Sequence, residues 1–139
     1  MSYKNTQPKS FIICDEDLDE KTTKTLSESN ALAIDTEAMG LIHGRDRLCL
    51  VQICDESDNV VCIKINSKQK SSPKLKSILE DSSIEKVFHF ARFDVAALAC
   101  NLNIHVNSIF CTKIASKIAR TYSPRHGLKE VILDLVGIE

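Results

Sequence analysis

Apolar positions in this chain come in short blocks separated by polar turns, and the spacing inside each block predicts an element. SFIICD near the amino terminus reads as a short strand, and the acidic, Thr-rich stretch from Asp17 to Ser29 reads as a surface helix or loop. NALAIDTEAMGL follows, a short apolar run that ends in carboxylates and then Gly40. RDRLCLVQICD is apolar on both faces, and NVVCIKIN places Val61, Ile63 and Ile65 on one face, so the turn CDESD between them predicts a hairpin. After the polar loop SKQKSSP, Pro73 is suited to open the helix PKLKSILEDSS, in which Leu75, Ile78 and Leu79 have helical spacing. EKVFHF returns to strand. ARFDVAALACNLN is helical, with Val95, Leu98 and Leu102 along one stripe, and TKIASKIART predicts a second helix with Ile114 and Ile118 turned inward. TYSPRHG makes a turn before a last helix, LKEVILDLVG, that stops at Gly137. Strands first, then strands alternating with helices, imply an α/β fold: a mixed sheet covered by helices, in one domain over 1–139 with no internal repeat.

Composition narrows the class without changing that picture. With 139 residues, 43% hydrophobic and 27% charged, the chain has the balance of one globular domain, which excludes disorder, collagen and coiled coil. No apolar run approaches the length of a membrane span. The six cysteines form no C-x-x-C pair and MSYKNTQPKS has no leader-like apolar stretch, so a reduced, cytoplasmic protein is expected, with most of the cysteines acting as small core hydrophobes. The net charge of -1 is uninformative, but its distribution is not: residues 1–37 carry eight acids against four lysines, while Cys111 to Lys129 holds five bases and no acid.

The candidate chemistry is carboxylate chemistry. Asp35 and Glu37 alternate on what reads as one strand, so both project from the same face roughly 6 to 7 Å apart, directly after the apolar run Ala31 to Ile34. Spacing alone leaves two readings, a solvated strand end or a pair of acids that needs a cation. Asp94 lies in the first turn of a helix between Phe93 and Val95, either as an acid favoured by the helix dipole or as a third carboxylate aimed at the same ion. Hard cations such as Mg²⁺ and Mn²⁺ take a few carboxylate oxygens and leave positions for water and phosphate. Lys113, Lys117 and Arg120 recur at helical spacing, and Arg125, His126 and Lys129 follow them. That face is either simply solvated or suited to a phosphate backbone. His89 and Arg92 stand just ahead of Asp94, and Gln52 interrupts an apolar strand.

Three segments, in order, resemble one family. IDTEAMGL with RDRLCLVQI, then KVFHFARFDVAAL, then CTKIASKIARTYSPRHGLK are similar to the DEDD-type 3′-5′ exonucleases, and within them to short bacterial ribonuclease D-like proteins, from about Leu32 to Glu139. The resemblance implies a ribonuclease H-like mixed β-sheet flanked by helices. It also implies a hydrolase that removes nucleoside 5′-monophosphates from the 3′ end of single-stranded RNA or DNA by a two-metal mechanism, with Mg²⁺ or Mn²⁺ as cofactor. Asp35, Glu37 and Asp94 match three of that family's four metal-holding acids. Met39, Gly40 and Leu41 match the positions that pack the terminal nucleotide; His89, Arg92 and Phe93 are placed to face the substrate, and Lys113, Lys117, Arg120, Arg125 and Lys129 to meet its backbone.

The family's third motif, Tyr-x-x-x-Asp or His-x-x-x-x-Asp, has no match. Four residues after Tyr122 stands His126, and five after His126 stands Val131; the single aspartate after Asp94 is Asp134, expected on the solvent face of the last helix. The resemblance therefore implies a domain truncated before that motif, its carboxy-terminal part missing, with a weak second metal site. The exposed apolar flank would invite self-association or a separate chain that supplies the rest. Two rival readings follow: an inactive remnant that at most binds nucleic acid, and an interaction fragment that works only when its other half docks.

Overall fold

A computed structural model describes residues 7–137; the first six residues, on which the leader reading partly rests, and the last two, Ile138 and Glu139, lie outside it. Six strands and five helices follow one another as β1 (Ser10–Asp15), α1 (Glu20–Ser27), β2 (Ala31–Ala38), β3 (Leu48–Asp55), β4 (Asn59–Lys64), α2 (Pro73–Glu80), β5 (Glu85–Phe88), α3 (Ala91–Leu102), β6 (Ile109–Cys111), α4 (Thr112–Ala119) and α5 (Leu128–Val136). They form one mixed sheet in the order β1-β4-β3-β2-β5-β6. β2, β3 and β4 make an antiparallel meander, and β1, β5 and β6 join its two sides in parallel.

The expected α/β architecture is what the chain adopts, and its period-2 patterns explain the faces. On one face Ile12, Val61, Ile53 and Ile34 stand in a cross-strand row, as do Cys14, Ile63, Val51 and Thr36. Their apolar members pack with Leu26 of α1, Leu75, Ile78 and Leu79 of α2, and Leu98 and Leu102 of α3 in one buried core. The opposite face carries the row Phe11, Val60, Cys54, Ala33, Val87 and Phe110, and beside it the row Ile13, Cys62, Gln52 and Asp35. This second face is open at its margins: Phe11 and Ile13 are each 59% exposed and Phe110 is 44% exposed. Over its middle lies a groove of about 450 Å³ floored by Ala33, Asp35, Gln52 and Cys54, with Leu128 of α5 on its rim.

Local caps explain the helix starts. Asp19 caps α1 by accepting from the Thr22 amide at 2.8 Å. Pro73 opens α2, but Ser72 makes no side-chain cap. Instead Asp17, in the turn after β1, accepts from the Lys74 amide at 3.0 Å, the Leu75 amide at 2.9 Å and the Ser72 hydroxyl at 2.6 Å. Gly137 ends α5 in the left-handed conformation, φ 76°, as its position in the sequence predicts.

Three expectations need correction. Ile114 and Ile118 are not inward: they are 50% and 74% exposed, because α4 buries Ser116 instead. Arg120 is not on a solvated basic face. It is buried, donating to the Ser116 hydroxyl at 3.0 Å and the Arg125 carbonyl at 2.8 Å and pairing with Asp134. Asp134 is thus an ion-pair partner and not merely a solvent-face acid. The third correction concerns the cysteines. All six are unpaired thiols, but Cys14 and Cys62 alone are fully buried and Cys100 is exposed. One element carried no expectation: β6, a three-residue strand with no sequence signal of its own, exists because Val87 and Phe88 offer it a paired edge. Among the described residues no helix is long and apolar enough to cross a membrane.

Candidate active site

The site is built where β2 outruns its neighbour. β5 pairs with β2 only as far as Ala33 and Val87, while β2 continues to Ala38. Beyond that point the edge of β2 is met by α3. Phe90 turns the corner between β5 and α3 in the left-handed conformation at φ 71°, unusual for an aromatic residue, and this drops the first turn of α3 beside β2. Asp94 in that turn fills the notch. Its Oδ1 accepts from the Thr36 amide at 3.1 Å and from the Thr36 hydroxyl at 2.7 Å.

Strand alternation then separates the groups. Thr36 points into the core side with Asp94, and both are buried, while Asp35 and Glu37 project from the open face as their two-residue spacing predicts. Burial pushes the Asp94 carboxyl above the usual carboxylate range; the Thr36 hydroxyl pulls it back, and the negative charge of Asp35 pushes it up again. Asp35 is therefore near enough to act on Asp94 electrostatically. Among the described residues, no three His, Cys, Asp or Glu side chains stand close enough to form a finished metal cage. The donor chemistry nevertheless fits a hard divalent ion: oxygen ligands only, one of them held buried against the repulsion of another. Relief of that repulsion is what a cation would provide.

Around these acids lies the loop from Met39 to Arg47. Met39 and Leu41 are among the most exposed apolar side chains, at 72% and 79%. A Cβ on Gly40 would run into the Asp46 carboxylate, which is held by the Ile42 amide at 3.0 Å and by Arg45 at 2.7 Å, so the close approach that glycine serves is to Asp46. His43 of this loop packs on Phe93, ring centroids 5.2 Å apart, tying the loop to α3 one residue before Asp94. Arg92 is exposed and Phe93 half-buried.

His89 lines the open-face groove together with Asp35. His89 Nδ1 lies 2.9 Å from the Thr112 hydroxyl, which itself reaches the Phe88 carbonyl at 3.1 Å, and this joins β5 to α4. Burial lowers its basicity, the Lys113 charge lowers it further, and the His126 carbonyl opposes both. Lys113 sits over the Phe90 ring, 4.3 Å from its centroid. Lys117, Arg125 and Lys129 are exposed, so four of the five expected basic residues remain accessible, and Arg120 does not.

A model of the 3′-5′ exonuclease family matches residues 10–139. The chain belongs to the 3′-5′ exonuclease family. Among solved structures, this exonuclease domain is 43% identical to Brucella melitensis NrnC with bound Mg²⁺, TM-score 0.87, over 94% of this chain and 63% of that one. It is equally 43% identical to NrnC bound to pGG, TM-score 0.86, over 94% of this chain and 62% of the other. The Trypanosoma brucei RNase D complex with RNA U12, 22% identical with TM-score 0.74 over 92% of this chain and 48% of that one, shares the fold. The exonuclease chain described here thus spans less than two thirds of the NrnC structures it matches. No curated protein sequence matches it.

Two features of the site escaped the sequence. Thr36 stood between two conspicuous acids, and its role could have been suspected because a threonine at an inward strand position must find a hydrogen-bond partner. The left-handed Phe90 left no signal, since nothing in HFARFD marks a positive φ.

Proposed function

We propose that this domain hydrolyses the 3′-terminal phosphodiester of short single-stranded RNA, with Asp35, Glu37 and Asp94 holding Mg²⁺ or Mn²⁺. The observation that carries the reading is the clamped, buried Asp94 carboxylate beside the charge of Asp35. Family membership and the Mg²⁺ and pGG bound by the NrnC neighbours support it. A divalent ion at these carboxylates supplies an acidified water and positive charge beside the scissile phosphate. The protein's own part is placement. Exposed Met39 and Leu41 offer apolar contact to the terminal nucleoside, Phe90 and Phe93 offer ring faces, and Lys113, Lys117, Arg125 and Lys129 meet the backbone phosphates. DNA is the weaker expectation, because the NrnC neighbour is bound to pGG and the RNase D neighbour to RNA U12. The unpaired thiols fit a reducing compartment such as the cytoplasm.

A second reading, binding of nucleic acid without cleavage, is favoured by one observation. Among the described residues Asp134, the aspartate that follows Asp94, is committed to Arg120 and so is not free to serve as a fourth acid. Digestion of a 5′-labelled single-stranded RNA with Mn²⁺ separates the two. A ladder shortening from the 3′ end that Asp35→Ala lacks establishes the hydrolase; retention of the RNA by both proteins without a ladder establishes the binding module.

A further inference from the structure

We infer that Thr36 is the positioning residue of the carboxylate site, setting through two hydrogen bonds the orientation in which Asp94 presents itself to a divalent cation. The inference rests on the metal-site reading above and adds to it a residue that is neither acidic nor exposed.

The geometry is specific. Thr36 is 6% exposed and Asp94 5%, so neither side chain is oriented by solvent. Both bonds from Thr36 fall on Oδ1, at 3.1 Å from the amide and 2.7 Å from the hydroxyl, which leaves Oδ2 clear of Thr36. A carboxylate gripped at one oxygen by two donors from one residue cannot rotate about its Cβ–Cγ bond without breaking both. The amide is available because β5 ends before reaching this part of β2, so no strand competes for it. The same residue is covalently flanked by Asp35 and Glu37, whose side chains project from the other face. Thr36 thus ties the buried Asp94 carboxylate to the strand segment that carries Asp35 and Glu37. Groups that hold a ligand from behind in this way typically change metal affinity 10- to 100-fold when removed.

Isothermal titration of the 139-residue chain with Mn²⁺, without RNA, tests this. The proteins compared are wild type, Thr36→Val, Thr36→Ser and Asp94→Asn. Thr36→Val keeps the shape and the backbone amide but deletes the hydroxyl; Thr36→Ser keeps the hydroxyl. We expect Thr36→Val to weaken Mn²⁺ roughly 10-fold or more and Thr36→Ser to stay within about threefold of wild type. Equal Mn²⁺ affinity in wild type and Thr36→Val, with Asp94→Asn still impaired, overturns the role of Thr36 and leaves the metal site standing. Wild-type Mn²⁺ binding that ignores Asp94→Asn overturns the metal-site reading itself. Should Thr36→Val fail to fold, Thr36→Ala deletes the same hydroxyl without adding a methyl and undergoes the same titration. Where RNA cleavage is measurable, the loss in Thr36→Val should be overcome in part by raising Mn²⁺, which a merely destabilised fold would not allow.

Discussion

Phe90→Gly separates local strain from substrate contact at one position. Phe90 holds φ at 71°, and an L-residue in that region gives up roughly 1 kcal/mol that glycine recovers. Against this, glycine adds about 1 kcal/mol of unfolded-state entropy. The ring is 46% exposed, so truncating it forfeits about half the burial of a phenylalanine, roughly 1 kcal/mol. Loss of the Lys113 contact at 4.3 Å adds about 0.5 kcal/mol. The sum is a destabilisation of about 1.5 kcal/mol, or about 6 °C in Tm for a chain of this size. If the exposed ring face stacks on a substrate base, the loss in binding is about 1–3 kcal/mol, and KM should rise roughly 5- to 150-fold with kcat little changed. Differential scanning fluorimetry and initial rates on a short RNA read both numbers. An unchanged KM refutes the stacking role, and a fall in Tm well beyond 10 °C refutes the strain argument.

Two other perturbations test the electrostatics. Asp94→Asn retains an oxygen for the Thr36 bonds and removes a buried charge. A free aspartate titrates near 3.9, and burial raises Asp94 above that, so the folded state keeps its proton longer than the unfolded one. Wild-type stability should therefore decline as pH rises from the free value through the raised one and level off above it. The variant should melt higher than wild type at pH 7, with the gap closing below pH 4; a variant that melts lower at pH 7 refutes this. For the basic region, Lys113→Ala with Lys117→Ala should flatten the salt dependence of RNA binding by about 1.4 log units per log unit of salt, at about 0.7 per single-strand phosphate contact. Asp134→Ala should leave that slope unchanged and lower Tm, because Arg120 is a buried strut; an increased slope would mean that Arg120 reaches the nucleic acid.

The sheet and its main helices were legible because alternating or helical spacing at Val61 and Ile63, at Leu75, Ile78 and Leu79, and at Leu98 and Leu102 reflects burial directly. Asp35, Glu37 and Asp94 were legible as candidates because carboxylates beside apolar runs are costly without a partner. α4 misled. Its isoleucines stand at the spacing of a core stripe, but Ser116 and Arg120 are buried in their place, bonded to His126 and Asp134, and hydropathy cannot announce bonds that reach ten and fourteen residues along the chain. Asp17 capping α2 is the same kind of case, a bond across more than fifty residues. β6 was too short to leave a pattern, and its existence depends on the neighbouring strand.

Strand β2 also sets where this chain tolerates insertions. Its outward acids and inward threonine depend on strict alternation, and its register against β3 shifts only between Glu37 and Ala38, after the last of them. One extra residue between Leu32 and Asp35 would reverse the faces, burying the two acids and exporting the threonine, with composition almost unchanged. The Met39 to Arg47 loop lies beyond that shift and can change length without disturbing the alternation. Related sequences should therefore vary in length within this loop beyond Leu41 more readily than in the residue count of β2.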